Sequence, residues 1–371
     1  MKKEKQSIYR GLYSFFRYLE IFCICLLCLS QITGALRLFS VEVLIDPIPI
    51  AVLTNSAPHY SLINSVDFHP KKNLFCVTYT HNNRVVLYKI DTTGNPEIVQ
   101  SLSNPLANLS EPQHAVFSPD GEKIVVANWT NQTLTIYKRE KSGLFCATPA
   151  ATIPSPSRLT RHRPHGIAFS PCGNFLAIAY GAASYCGRAI ALFRMEKEGI
   201  GCALVSVLES TLPGIPKGIT FSPDGSCLLV TFSDANSLVI FNLDRKDAAI
   251  LPTPQQVIQG QETKISRPED VKISPDGSYC AVTNSNQHTV TFYPFDKTSN
   301  QITQCTPSYV LQNPEALLSF PHGIAFSPDG SFVSITQFGP VNTTKDGDIA
   351  WDSTTRADQA KVTVYTISII K

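Results

Sequence analysis

A five-residue turn motif recurs along this chain at nearly constant spacing. Phe-Ser-Pro-Asp-Gly, or a close relative of it, occurs six times in the 371 residues, with its prolines at Pro70, Pro119, Pro171, Pro223, Pro275 and Pro328. Successive prolines are 49, 52, 52, 52 and 53 residues apart. A period of this length indicates one supersecondary unit that is repeated along the chain.

Each repeat predicts a small antiparallel sheet. In the second repeat, residues 115–118 and 123–128 are β-prone runs, and Ser118-Pro119-Asp120-Gly121 between them favours a tight turn. Residues 133–138 alternate apolar and polar side chains as a third strand would, and a less regular fourth strand is expected at 147–153. Four strands per repeat are typical of a propeller blade, so we predict an all-β, six-bladed propeller with four-stranded antiparallel blades.

The two ends of the repeat region predict how the ring closes. Val52-Leu53-Thr54-Asn55 precedes Phe68 by the same 16 residues that separate Val310-Leu311-Gln312-Asn313 from Phe326. Residues 49–54 therefore resemble a fourth strand without a blade of its own, while the sixth repeat has only three strands, near 323–327, 332–336 and 362–367. We expect the amino-terminal strand to complete the last blade, which leaves no open sheet edge.

Composition agrees with one propeller domain over residues 39–371. The hydrophobic fraction is 43% and the charged fraction 16%, which suits sheets that are buried on both faces. A net charge of only +2 argues against a nucleic-acid partner, because binding to phosphates needs clustered Lys and Arg. We expect a monomer whose partner is another protein or a small carbohydrate-like ligand.

Residues 1–38 are typical of a targeting segment. Five basic residues precede the apolar run 21–29, and Thr33-Gly34-Ala35 offers small residues for cleavage. We predict export to the periplasm or the extracellular space. The alternative is an uncleaved membrane anchor over residues 21–38.

The eleven cysteines leave two alternatives open. Cys146 and Cys172 are 26 residues apart and Cys202 and Cys227 are 25 apart, spacings that would suit two disulfides in an exported protein. Buried free thiols are the other interpretation. The propeller region contains no Cys-x-x-Cys pair, so no structural zinc site is predicted and no residue is assigned as a metal ligand.

Six polar residues are predicted to surround one mouth of the axial channel. Each lies four positions before the strand-one aromatic residue or its equivalent: Asn64, Gln113, His165, Lys217, Glu269 and His322. Strand one lines the channel of a propeller, and such a ring could bind an anion, hold a metal or supply a general base. It could equally serve only to solvate the channel mouth. His114, one position further along, could join the set.

A long loop in the sixth repeat is predicted to open on the same face. It runs from 337 to about 360 and contains Trp351, the residue most expected to touch a ligand or partner. A solvated insertion without a binding role is the alternative.

Two segments carry a family resemblance. Residues 164–171 (Pro-His-Gly-Ile-Ala-Phe-Ser-Pro) and 321–330 (Pro-His-Gly-Ile-Ala-Phe-Ser-Pro-Asp-Gly) resemble the repeats of YVTN and lactonase-type propellers, and the resemblance covers residues 49–368. Relatives of this kind include 6-phosphogluconolactonase-like hydrolases, which have seven blades, and exported binding proteins. The resemblance implies that His165 and His322 match the Pro-His element, with Glu269 as the nearby carboxylate. Six repeats replace seven, and the equivalent positions of the fourth and fifth repeats are Lys217 and Glu269, so the family's catalytic set is not carried over intact.

Two functions follow from these patterns. The first is an exported binding or interaction module that uses the long loop and the channel mouth, with Asn64, Gln113, His114, Lys217 and Trp351 as ligand-binding residues. The alternative is a lactone hydrolase in which His165, His322 and Glu269 are catalytic and a channel histidine activates water. The sequence leaves open whether a divalent cation takes part.

Overall fold

The computed structural model describes residues 42–54, 61–91, 95–159, 162–181, 187–196, 200–209, 213–244, 246–339, 342–343, 349–350 and 360–370. Residues 43–368 belong to one compact unit. Among the described residues, no helix has the length and apolar character needed to cross a membrane. The predicted targeting segment at residues 1–38 lies outside the described residues, so it stays a prediction.

Within the described residues, six antiparallel sheets of four or five strands follow one another along the chain, and each one is a blade. The first blade contains β3 (Ile63–Phe68), β4 (Leu74–Tyr79), β5 (Arg84–Ile90) and β6 (Pro96–Ser103). The second contains β7 (Pro112–Phe117), β8 (Lys123–Asn128), β9 (Thr133–Lys138) and β10 (Ala151–Pro154). The third contains β11 (Pro164–Phe169), β12 (Phe175–Tyr180), β13 (Ala189–Met195) and β14 (Cys202–Leu208).

The remaining three blades follow the same order. The fourth contains β15 (Pro216–Phe221), β16 (Cys227–Phe232), β17 (Ser237–Asp244) and β18 (Ala249–Gln259). The fifth contains β19 (Pro268–Ile273), β20 (Tyr279–Asn284), β21 (Thr289–Asp296) and β23 (Tyr309–Leu311), and β22 (Gln301–Ile302) pairs with the end of β21. The sixth contains β24 (Pro321–Phe326), β25 (Phe332–Gln337) and β28 (Lys361–Ile370), joined by β1 (Glu42–Ile45) and β2 (Ala51–Thr54).

The repeated motif forms the turn between the first two strands of each blade. In the second blade the Gly121 amide donates to the Ser118 carbonyl at 2.8 Å, and Gly121 has a φ of +78°. Asp120 accepts a hydrogen bond from the Glu122 amide at 2.9 Å. A residue with a side chain is strained at this φ, which explains why glycine ends the motif.

Strands from both ends of the chain close the ring, as predicted. β2 runs antiparallel to β28, with Ala51 opposite Val364 and Leu53 opposite Val362. Leu53 is half-buried and packs against a cluster of apolar side chains that includes Val362 and Val364. The prediction of a six-bladed propeller whose last blade is completed by an amino-terminal strand is therefore confirmed.

Apolar residues fill the spaces between neighbouring blades. Phe221, Phe232 and Phe241 of the fourth blade share one cluster with Ile190 and Leu192 of the third. The second and third strands of the blades are thus buried on both faces, which explains their nearly continuous apolar runs.

The suggested disulfides are not formed. Cys146, Cys172, Cys202 and Cys227 form no disulfide with one another in the structure. Spacing along the chain does not fix the separation of two Cβ atoms, and that separation decides whether a disulfide can form.

Candidate active site at the channel mouth

Each residue of the predicted polar ring lies in a β-bulge at the start of an inner strand. In the third blade Pro164 pairs with Tyr180 and Ile167 pairs with Ile178, so His165 and Gly166 face the single residue between them on β12. The inner strands of the other five blades have a register shift at the same place. A bulge interrupts strand pairing and re-aims a side chain, here toward the channel axis.

Threonines on the second strands accept a hydrogen bond from a bulge amide and donate one to a carbonyl of the next blade. Thr336 accepts a hydrogen bond from the Gly323 amide at 2.7 Å and donates to the Asn64 carbonyl at 2.9 Å. Thr283 makes the equivalent contacts with the Asp270 amide and the His322 carbonyl, at 2.9 and 2.7 Å. These bonds fix the backbone of ring residues across blade boundaries.

All six ring residues line one cavity of about 530 Å³. Loops between second and third strands contribute His81 and Trp129 to its wall, and Phe338 follows the second strand of the sixth blade. Asn64 and Gln113 bond to each other through their side-chain amides. A cavity of this volume is large enough for a small organic ligand.

The two ring histidines are held by the blades that follow them. Nδ1 of His322 lies 2.8 Å from the carbonyl oxygen of Asn64. That oxygen can only accept, so Nδ1 carries the proton and Nε2 of the neutral ring has a free lone pair. His165 makes a hydrogen bond with the Lys217 backbone. Its ring centre is 5.3 Å from that of His322, and Phe338 stacks on His322 at 4.5 Å.

Glu269 lies between the histidines and two basic side chains. Its Oε2 is 3.4 Å from His322 Nε2 and 3.8 Å from Lys217 Nζ, and its Oε1 is 3.8 Å from Arg267 Nε. Lys217 Nζ also lies 3.4 Å from His165 Nε2. Glu269 is only 4% exposed, and its Oε2 is a buried atom without a hydrogen-bond partner.

Burial keeps the imidazoles at this site uncharged. It lowers the pKa of His165 well below the usual value, and the nearby Lys217 charge acts in the same direction. Burial also lowers the pKa of His322, although the Glu269 carboxylate opposes that change. Uncharged imidazoles can accept a proton or ligate a metal.

The other predicted site residues have different positions. His114 lies beneath the ring in the channel, where its Nδ1 accepts a hydrogen bond from the Ile167 amide at 3.1 Å; it does not line the 530 Å³ cavity. Trp351 and most of the loop at 337–360 lie outside the described residues. Within that loop, β26 (Asn342–Thr343) pairs with β27 (Ile349–Ala350).

Sequence reasoning missed Trp129, Arg267 and Phe338. Arg267 stands two positions before the ring residue Glu269, so the repeat alignment could have found it by reading one column further. It has a positive φ of 49°, and its backbone amide donates a hydrogen bond to Asn236 Oδ1 at 2.6 Å. Non-glycine residues in this conformation concentrate at functional sites. Trp129 and Phe338 lie in loops, where no periodic pattern predicts which way a side chain points.

The arrangement combines two bases, a carboxylate and two cations in one pocket. Such a set can hold water against an electrophile and can stabilise negative charge that develops in a reaction. His165, His322 and Glu269 are each 6% exposed or less, so the charge of Glu269 interacts with its neighbours through protein more than through water.

Comparison with known proteins assigns the family. The family model described as "Lactonase, 7-bladed beta-propeller" matches residues 54–266 and 219–319, which is more than half of the chain. The chain belongs to the lactonase propeller family. This lactonase propeller has six blades, one fewer than the family description states.

Solved structures of similar fold include two candidate 6-phosphogluconolactonases. The one from Bacteroides uniformis is 14% identical, with a TM-score of 0.56, over 82% of this chain and 88% of the other. The one from Bacteroides fragilis is 12% identical, with a TM-score of 0.55, over 90% and 98%. A luciferin-regenerating enzyme is 12% identical, with a TM-score of 0.57, over 86% and 95%. At these identities the likeness shows the fold of the lactonase propeller alone, and no curated protein matches its sequence significantly.

Proposed function

We propose that the protein hydrolyses lactones in the channel-mouth cavity. The observation that carries the proposal is the convergence of His165, Glu269 and His322, from three different blades, on one point at the base of the cavity. Membership of the lactonase propeller family supports the same reaction class.

The reaction adds water to a cyclic ester. His322 Nε2 and Glu269 Oε2 face each other at 3.4 Å, and both are acceptors when the imidazole is neutral. A water molecule that donates to both would relieve their repulsion and would be held for attack. Its oxygen forms a bond to the lactone carbonyl carbon as a proton passes to the imidazole, which is general-base catalysis.

Two cations are placed to stabilise the oxyanion. Lys217 and Arg267 line the same cavity and lie on the two sides of the Glu269 carboxylate. They offset negative charge on the former carbonyl oxygen while the ring C–O bond breaks. The protonated imidazole then returns its proton to the leaving alkoxide, and the product is an open-chain hydroxycarboxylic acid.

The test is turnover of a panel of sugar and acyl lactones, followed by acid release. We expect hydrolysis of at least one of these lactones, and we expect His322→Ala and Glu269→Gln to lower kcat at least 100-fold. His165→Ala tests the second imidazole. The matched control is His69→Asn, in the first hairpin turn and outside this cavity, because asparagine can still accept the Lys71 amide that His69 Nδ1 accepts at 3.1 Å.

Absence of turnover across the panel would overturn the hydrolase proposal. If a lactone or sugar then binds without reacting, and Lys217→Met or Gln113→Ala weakens binding, the binding module is the correct function. Variants with native circular dichroism and unchanged thermal unfolding separate loss of chemistry from loss of fold.

A further inference from the structure

Three buried side chains at the base of the cavity form a set of metal-ligating atoms. One ligand atom each from His165, Glu269 and His322 lies within 4.8 Å of the other two. The Glu269 atom nearest to His322 Nε2 is Oε2, which is buried and accepts no hydrogen bond. A buried carboxylate oxygen without a hydrogen bond has a large desolvation cost, and a bound cation would offset that cost.

The spacing of two of these atoms suits direct coordination. Zn²⁺ bonds imidazole nitrogen and carboxylate oxygen at about 2.0–2.2 Å, so the edge of its coordination tetrahedron is about 3.4 Å. His322 Nε2 and Glu269 Oε2 are 3.4 Å apart. The ligand atom of the third residue, His165, lies within 4.8 Å of the other two, so it can join them around one ion.

The hydrogen bonds that hold the two histidine rings in place also suit metal binding. Histidines that bind metals commonly donate the other ring N–H to a backbone carbonyl or a carboxylate, which fixes the tautomer. His322 donates Nδ1–H to the Asn64 carbonyl at 2.8 Å, and His165 is hydrogen-bonded to the Lys217 backbone. His322 therefore presents a lone pair at Nε2 toward Glu269.

We propose that His165, Glu269 and His322 bind a divalent transition-metal ion of the zinc type. Two histidines and one glutamate leave a fourth coordination position, which here opens to the cavity, as in catalytic zinc sites. With an ion bound, the Nε2 lone pair of His322 would be used for coordination, and the ion would replace the imidazole in activating water. Only that role of the ion rests on the proposed hydrolase function. Metal binding itself is an independent property of the three side chains.

Lys217 would compete with the metal. Its ammonium lies 3.4 Å from His165 Nε2 and 3.8 Å from Glu269 Oε2, close to the position that a metal ion would take. The Lys217 side chain is 21% exposed, so it can move outward into the cavity when a metal enters. The lysine thus acts as an internal cation whose charge opposes metal entry.

This competition gives the proposal a specific signature. Lys217→Met keeps an unbranched side chain and removes the charge, so we expect it to tighten metal binding at least 10-fold. His322→Ala and Glu269→Gln each remove a ligand or its charge, and we expect at least 100-fold weaker binding. His69→Asn should bind as the wild type does.

The experiment is calorimetric titration of the full chain with Zn²⁺ alone, without a polyhistidine tag and after removal of bound metal with a chelator. Absorption spectra after addition of Co²⁺ report the coordination geometry. We expect one site per chain and visible bands of four- or five-coordinate Co²⁺ that are lost in His322→Ala.

The proposal is wrong if wild type and Lys217→Met both bind no more Zn²⁺ than the triple variant His165→Ala, Glu269→Gln, His322→Ala. It is also wrong if the binding that occurs is unchanged in His322→Ala, since the ions are then held elsewhere on the surface. Turnover of a lactone that persists in chelator, without metal binding, would retain the hydrolase function and exclude the metal. Stoichiometric metal binding without turnover of any lactone would retain the metal site and exclude the hydrolase function.

Discussion

At the residue scale, the ring positions were predictable and their interactions were not. Six polar residues at one column of the repeat alignment do line one cavity. Periodicity sets the column because every blade repeats the same strand, but it carries no information on which side chains meet across the axis. The contact of Glu269 with His322 joins adjacent fifth and sixth blades, and the nearness of His165 joins the third.

Asp67 gives a prediction about pH. This half-buried carboxyl accepts a hydrogen bond from the Phe117 amide at 2.8 Å, yet burial raises its pKa to about 6, with Lys272 opposing the change. Protonation of Asp67 therefore favours the folded state. The resulting stabilisation is complete below about pH 4 and is lost as the pH rises through 6.

Asp67→Asn should remove this dependence while an amide oxygen still accepts the Phe117 bond. Between pH 4 and pH 7.5 we expect the wild type to lose roughly 1–3 kcal/mol of unfolding free energy relative to the variant. Urea unfolding of both proteins over this range measures the difference. A difference that stays constant with pH would show that Asp67 titrates at an ordinary value when folded.

At the element scale, strands followed from the sequence and bulges did not. The predicted strands at 123–128 and 133–138 agree with β8 and β9, because alternation and turn residues mark both ends. A bulge depends on the partner strand, since two residues on one strand face one on the other. The sequence contains one sign of the bulges: five of the six inner strands begin with proline, which is tolerated at strand starts and at bulges.

Thr336→Val tests the role of the bulge threonine. The substitution keeps the shape of the side chain but leaves the buried Gly323 amide without its 2.7 Å acceptor and the Asn64 carbonyl without its donor. We expect a loss of roughly 1–3 kcal/mol in unfolding free energy, measured by denaturant titration. Thr366→Val, on the same blade and half-buried, is the control and should change stability by less than about 0.5 kcal/mol. Equal effects at the two positions would contradict the assigned role.

At the scale of the whole molecule, the number of blades and the mode of closure were predictable from repeat counting alone. Both depend on spacing, which can be read directly from the sequence, whereas the two suggested disulfides, which do not form, show that spacing alone does not predict a contact. The sixth repeat could be recognised as incomplete because one predicted strand, at residues 49–54, precedes the first repeat and belongs to no repeat of its own. The fold alone does not predict the function, since propellers host many activities.

Removal of the closing strands should expose an open edge. A chain that begins at residue 55 lacks β1 and β2, so β28 loses both of its amino-terminal partners. We expect this chain to self-associate or aggregate where a chain that begins at residue 39 stays monomeric, as measured by light scattering after size-exclusion chromatography.

Point variants provide a milder form of the same test. Leu53→Asp places a charge against the apolar cluster beneath β2 and should cost roughly 1–3 kcal/mol of unfolding free energy, whereas Val52→Asp, at a position 42% exposed, should change it by less than about 0.5 kcal/mol. A truncated chain that remains monomeric and as stable as the longer one would show that the pairing with β28 does not hold the ring.

Because β2 pairs with β28, a strand of the sixth blade, the ring cannot close before β28 has been synthesised. The first five blades can form as they emerge, but β2 has to wait through the synthesis of some 300 residues before β28 is available. During that interval its apolar side, including Leu53, has no native partner. A nascent chain of this kind is therefore a natural client for chaperones that shield an unpaired strand until β28 has emerged from the ribosome.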